Sequence, residues 1–421
     1  MTVARFFRVF RRAVWSSSGE CSNDPENRPG CLRLSAATQW VRIREMVGSC
    51  CLLVLTNTAL AGEPAADSQS SALTALAQQV CTREVVFLGE ERHHAGAATM
   101  AAKAELLNLL TRQCGFSAVL FEAGIYDFLH YQQQLATRQA SLEMLGGAVG
   151  GLWSGVDELV PLIQFLHQTA TDGRMHIGGI DVQLGSATAR YAQRDLPGAL
   201  AAVLPPDRRH RCFATIGRHN RWEYNQTVRF DAAEKSRLSQ CIAAIEERVD
   251  GADAPDLAVQ VASYRDYLRI NDSVAGARTD GMLRNLLWYR DHWPAGTRIV
   301  VWTASVHGVR AGIESGSAPL GARLSEQLGP AIASIGFSAA GGSYGRAGRL
   351  SDLEAAREDS LEALALAGSN ADLGVLDHAA LRAAGTRAAR AIDYETWQER
   401  DWSRHFDALV VVRQERPIPT P

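Results

Sequence analysis

The stretch Val85-Val86-Phe87-Leu88-Gly89-Glu90 narrows the fold more than any other part of the chain. Four consecutive apolar residues without polar alternation read as a strand covered on both faces, as in a parallel sheet. Gly89 ends the run, and Glu90, Arg92, His93 and His94 follow within five residues. Ligands of open α/β sheets bind at the carboxyl ends of the strands, so these titratable groups arrive where chemistry is usually done. The pattern recurs. Residues 97–113 are rich in Ala and Leu and read as a helix stopped by Gly115. Residues 117–122 (Ser-Ala-Val-Leu-Phe-Glu) form a second buried strand ending in a carboxylate, so a right-handed parallel crossover is expected. Residues 175–179 make a third strand, with Asp181 at its end. Residues 297–302 resume the sheet and lead to His307, and further strands are expected at 331–337, 373–376 and 406–413.

Residues 186–293 differ. Strand signal is almost absent, and Leu238, Ile242, Ile245 and Val249 follow helical spacing. The expected architecture is α/β: a central, mostly parallel sheet flanked by helices, with an all-helical insertion. It divides into an N-terminal extension and signal peptide (1–61), a first part of the α/β domain (62–185), the insertion (186–293) and a second part (294–421). A length of 421 residues with 46% hydrophobic and 21% charged residues is ordinary globular composition. A net charge of −3 leaves no electrostatic footprint for nucleic acid. The glycine-rich stretches 146–151, which leads to Trp153, and 341–345 read as loops. The second lacks the Lys-Ser/Thr of a phosphate loop.

The apolar run 47–55 follows Arg42 and Arg44 and precedes Ala59-Leu60-Ala61, the pattern of a secretory signal peptide and too short for a stable membrane span. A periplasmic or secreted protein is expected. Four cysteines then remain. The pairing Cys81–Cys114 and Cys212–Cys241 is favoured, because the first two precede neighbouring strands and the other two lie on consecutive helical stretches. Four buried thiols are the alternative.

Side by side, the strand ends gather Glu90, His93, Glu122, Asp181 and His307 in one crevice. A His held by a carboxylate is a general base for water, and a second His supplies an acid or holds an oxyanion. No Gly-x-Ser-x-Gly elbow offers a covalent nucleophile. Two His with two or three carboxylates could also bind a divalent metal. Bland readings stand beside these: Glu90 or Glu122 capping a helix, His94 in a loop, Asp181 holding a neighbour, Lys103 and Arg278 as surface charges.

Several stretches resemble the erythromycin esterase family. Leu88-Gly89-Glu90-Glu91-Arg92-His93 is similar to its Gly-Glu-x-x-His motif. The likeness continues in order through Gly115-Phe116, Phe121-Glu122-Ala123, Trp153 with Asp157-Glu158, Gly179-Ile180-Asp181-Val182-Gln183, residues 278–288, Val300-Val301-Trp302 with His307, and Phe406-Asp407-Ala408-Leu409. It covers about residues 70–415. The resemblance implies metal-independent hydrolysis of an ester or lactone, with no cofactor. By it His93 is the general base, so its substitution abolishes turnover; Glu90 and Glu122 orient and polarise, and His307 is the last His of a paired-His motif. Asp181, Trp153, Arg278 and His94 are expected to contact the substrate, and the insertion to act as a lid. The chain departs from the pattern in two places. Ala304 and Ser305 stand where the family has His and Asn. His94 stands where a Gly is usual, and the spacing to Lys103 is one residue long, which would make His94 the equivalent of the motif's His.

Overall fold

The apolar runs become strands β1 (Val85–Glu90), β2 (Ala118–Gly124), β3 (His176–Asp181), β4 (Ile299–Ala304) and β5 (Ile332–Ala339). After them come β6 (Gly342–Arg346), β7 (Arg349–Leu353), β8 (Leu373–Asp377), β9 (Thr386–Ala389), β10 (Gln398–Asp401) and β11 (Ala408–Val412). The computed structural model describes residues 65–419 except 186–187, 226–229, 273, 313–317 and 347. The extension and signal-peptide stretch of residues 1–61 therefore lie outside the described residues.

Seven strands form one sheet in the order β3-β2-β4-β1-β5-β11-β8, with only β8 antiparallel to its neighbour. The fold class is the α/β one expected, and β1 sits in the middle. Period-two alternation explains its uniformly apolar sequence. Val86 and Leu88 face one hydrophobic cluster, Val85 and Phe87 the other. Helices α1 (Ala65–Val80), α2 (Ala97–Cys114), α3 (Ile125–Ala136), α4 (Leu142–Val149) and α5 (Val160–Thr171) come first in the chain. Leu73, Leu107 and Leu166, from α1, α2 and α5, fill the first cluster. Gly115, at φ 70°, closes α2, and its N–H donates to Leu110 O.

Between β3 and β4 come only helices among the described residues: α6 (Arg190–Arg194), α7 (Leu196–Ala201), α8 (Pro206–Asn225), α9 (Ala232–Glu246), α10 (Pro255–Asn271) and α11 (Ala277–His292). Ile216, Ile242, Tyr264, Leu286 and Tyr289 carry their apolar stripes onto the second face of the sheet. Two more helices follow β4, α12 (Ser305–Gly308) and α13 (Leu320–Leu328). No described helix is long and apolar enough to cross a membrane.

Both favoured disulfides form. Cys81–Cys114 ties the residue after α1 to the end of α2 with Cα atoms 4.9 Å apart, and Cys212–Cys241 ties α8 to α9 at 5.5 Å. Two stretches read as loops are partly ordered. Residues 142–149 are α4. Residues 342–346 are β6, which forms a hairpin with β7. The glycines there serve close packing: a Cβ on Gly345 would lie 2.0 Å from Arg349 O.

Candidate active site

The site begins where β1 and β4 end side by side, Glu90 opposite Ala304. A Cβ on Gly89 would lie 2.7 Å from the Cα of Ser305. Only glycine lets the start of α12 pack there, where Ser305 Oγ donates to Gly89 O at 2.7 Å. β2 and β3 continue the edge and deliver Glu122 and Asp181. One turn of α12 carries His307 above them.

The turn after β1 separates its two histidines. Buried Glu91 accepts the N–H groups of His93 (2.7 Å) and Ala95 (2.6 Å) and so clamps the turn from inside. Burial raises its carboxyl. His94 takes the left-handed conformation, φ 52°, where the penalty on an L-residue is smallest for short polar side chains and His. Its carbonyl is held by Arg346 of β6, whose Nε donates at 2.7 Å. The same guanidinium reaches Leu152 O, just ahead of Trp153. As a result His94 turns inward, while His93 is exposed to solvent.

Two linked groups of side chains result. In the first, Glu90 Oε1 lies 2.7 Å from His94 Nδ1 and accepts the Trp153 Nε1–H at 3.1 Å. Because a carboxylate only accepts, the contact selects the Nδ1–H tautomer of His94. No described residue hydrogen-bonds to its Nε2. Lys103 of α2 pairs with Glu90 Oε2, donates to Thr303 O at 3.1 Å and sits 4.1 Å from the Trp302 ring centroid. Burial pushes the Lys103 ammonium well below its ordinary pKa, opposed by the charge of Glu122.

In the second group, Glu122 Oε1 accepts Arg278 Nη2 at 2.9 Å and lies 3.1 Å from His307 Nε2. Its Oε2 accepts the Thr303 hydroxyl and the Ala304 N–H, both at 2.8 Å. Burial alone would raise this carboxyl, yet His307, Arg278 and His94 together hold it well below the usual range. Arg278 of α11 also grips Asp181 with Nη2 at 2.7 Å and Nε at 3.3 Å, and its Nη1 lies 3.3 Å from His307 Nε2. Burial works against the guanidinium's charge, but Asp181 and Glu122 raise its pKa, so it stays cationic. Burial lowers His94 below its ordinary value, partly offset by Glu122 and Glu91, which leaves the imidazole neutral near pH 7. His94 (11% exposed side chain) and His307 (17%) are the imidazoles an incoming molecule meets.

Of the residues singled out from sequence, Glu90, His94 and Trp153 thus meet in one half of the cluster, and Glu122, Asp181, Arg278 and His307 in the other. His93 is not brought to either. It faces Asp393 and Glu395, and one donor atom from each of the three lies within 4.8 Å of the others, a group that could hold a divalent ion. Sequence reading weighed Lys103 as a surface charge, whereas it is fully buried, and it missed Thr303 and Arg346. A signal for Lys103 exists: with Met100, Leu107 and Leu110 it falls on the buried stripe of α2, where a lysine requires a buried partner.

A mostly parallel sheet whose strand ends gather buried carboxylates, two imidazoles and their counter-cations defines an α/β protein with a candidate active site at the carboxyl end of its sheet. The chain matches the erythromycin esterase family over residues 111–415 and belongs to it. Among curated proteins, none matches. Solved structures share the fold. A Bacillus cereus protein is 15% identical with a TM-score of 0.62, covering 83% of this chain and 93% of its own. A succinoglycan biosynthesis protein is 14% identical with a TM-score of 0.63, covering 85% and 99%. The erythromycin esterase EreC, a His-to-Asn mutant in its open conformation, is 15% identical with a TM-score of 0.55, covering 82% and 94%.

Proposed function

We propose that the chain hydrolyses a carboxylic ester or lactone, with His94 activating the water. One observation carries the reading: the 2.7 Å contact between Glu90 Oε1 and His94 Nδ1, which leaves Nε2 unprotonated and without a described partner. In this reaction Nε2 takes a proton from water as its oxygen adds to the ester carbonyl. The tetrahedral oxyanion is stabilised by the guanidinium of Arg278, anchored on Glu122 and Asp181, with His307 beside it. His94 then returns the proton to the departing alkoxide, giving a carboxylic acid and an alcohol. Ser305 is buried and its hydroxyl donates to Gly89 O, so it plays no nucleophilic part. Trp153 and Asp181 are buried and act from behind, Trp153 on Glu90 and Asp181 on Arg278, and residues 186–293 serve as the lid, since α11 of that segment carries Arg278 into the cluster. Export to the periplasm or outside the cell fits two disulfides.

The test is turnover of a panel of macrolides and simple aryl esters by the purified chain, with chelator present. His94→Ala is expected to abolish turnover, and His93→Ala to retain it. Turnover that survives in a folded His94→Ala protein would remove the mechanism. A second reading rests on Ala304, which stands where the family has a His: a ligand-binding protein on the same scaffold. Its mark is saturable binding of an ester with no turnover by the wild type.

A further inference from the structure

The turn that points His94 inward presents His93 outward, toward the loop of residues 391–397. Two contacts already dock turn and loop. The Arg92 N–H donates to Ile392 O at 3.0 Å, and Arg92 Nη1 lies 3.2 Å from Asp393 Oδ2. Asp393 is buried, and its Oδ1 accepts the Glu395 N–H at 2.9 Å, so its carboxylate is fixed in place. The His93 imidazole and the Glu395 carboxylate, by contrast, are exposed and make no side-chain hydrogen bond or ion pair with any described residue. The three donor atoms lie within 4.8 Å of one another.

We propose that His93, Asp393 and Glu395 form a site for a borderline divalent cation of the Zn²⁺ type, distinct from the cluster around Glu90 and Glu122. The donor set argues for that class: one imidazole with two carboxylates suits zinc and its neighbours better than magnesium or calcium, which prefer all-oxygen shells. Tetrahedral donors at metal–ligand bonds of about 2.1 Å lie about 3.4 Å apart. The two solvent-exposed side chains therefore need to close by about 1 Å or less per donor toward the fixed Asp393, a rotamer-scale movement. Arg92 competes for Asp393 Oδ2, but its half-exposed side chain is free to swing into water, and a bound dication would take over its charge beside the buried Asp393 carboxylate. Three protein donors leave the fourth position to water. The ion would clamp the His94 turn to the 391–397 loop from outside, while Glu91 holds the turn itself from inside. The catalytic-type cluster offers no comparable set: Glu90 is paired with Lys103 and Glu122 with Arg278.

The experiment is titration of untagged, chelator-stripped full-length protein with Zn²⁺ by calorimetry and with Co²⁺ by visible absorption. The expected result is one tightly bound ion per chain, a d–d spectrum, and a raised denaturation midpoint. His93→Ala and Glu395→Gln, both at exposed positions, should each weaken binding at least about tenfold, since even residues behind the ligands are worth that much. No uptake by the wild type, or unchanged affinity in either variant, would overturn the site. None of these readouts depends on ester turnover, so the outcome is independent of the hydrolase reading.

Discussion

Lys103→Met is the most searching test of how the cluster is held. Lys103 is fully buried, with its ammonium on Glu90, its hydrogen bond to Thr303 O and its charge over the Trp302 ring. Methionine keeps most of the unbranched apolar stem and removes the charge and its donors. Glu90, 1% exposed, then has no counter-cation. Removing one partner of a buried ion pair costs about 3–5 kcal/mol, while removing both is close to neutral. Urea unfolding should therefore place Lys103→Met about 3–5 kcal/mol below wild type. Lys103→Met combined with Glu90→Gln should recover at least about 2 kcal/mol of that loss, a coupling typical of residues in direct contact. Both are measurable by intrinsic fluorescence and circular dichroism. A loss under about 1 kcal/mol for the single variant would mean that the buried lysine is neutral and that no charge pair exists. A double variant as unstable as the single one would mean that lost packing, not the stranded carboxylate, sets the cost.

Two other predictions follow from the surroundings of the site. Arg346→Met frees the carbonyl of His94 and that of Leu152. The expected result is a fall in kcat of about 10- to 100-fold, the usual effect of misplacing a catalytic group by an ångström, with KM little changed and partial rescue by Arg346→Lys. Unchanged kcat would show that the turn holds without this clamp. In the helical insertion, burial pushes His219 down to about 4, while its Nδ1 lies 2.6 Å from the Tyr264 hydroxyl. The folded-state pKa lies below the unfolded one, so the stability is full above about pH 6.5 and lost as pH falls toward 4. Acidification from pH 7.5 to 5.5 should cost the wild type about 1.4 kcal/mol through this residue alone. The difference should be absent in His219→Gln; an equal acid sensitivity in the two proteins would refute the assignment.

The strands were legible because burial on both faces leaves an unmistakable apolar run, as at Val85–Leu88 and Val300–Trp302. The order in which they pair was not, since β1 lies between β4 and β5 through contacts more than 200 residues apart. The carboxylates at the strand ends were legible for the same reason: Glu90, Glu122 and Asp181 each close an apolar run. The choice between His93 and His94 was not. It depends on whether one residue of the turn takes a left-handed φ, and the spacing to Lys103 carried the only hint of the extra residue. Arg346 was invisible because glycines at 342 and 345 read as loop, whereas they permit the hairpin that aims it at His94.

The two buried carboxylates explain why the insertion and the site belong together. Glu90 and Glu122 sit two strands apart on one sheet edge, and carboxylates so close and so deeply buried stay ionised together only with cations of their own. The cation for Glu90 comes from α2, on the first face of the sheet. The cation for Glu122 comes from α11, on the second. Arg278 serves Asp181 as well, so withdrawing α11 would strand two carboxylates at once and release His307 from its neighbour. The helices between β3 and β4 are therefore part of the charge balance of the cleft. Any movement of that segment that carried Arg278 away would raise the proton affinity of Glu122 and remove the cation that lies beside the second imidazole.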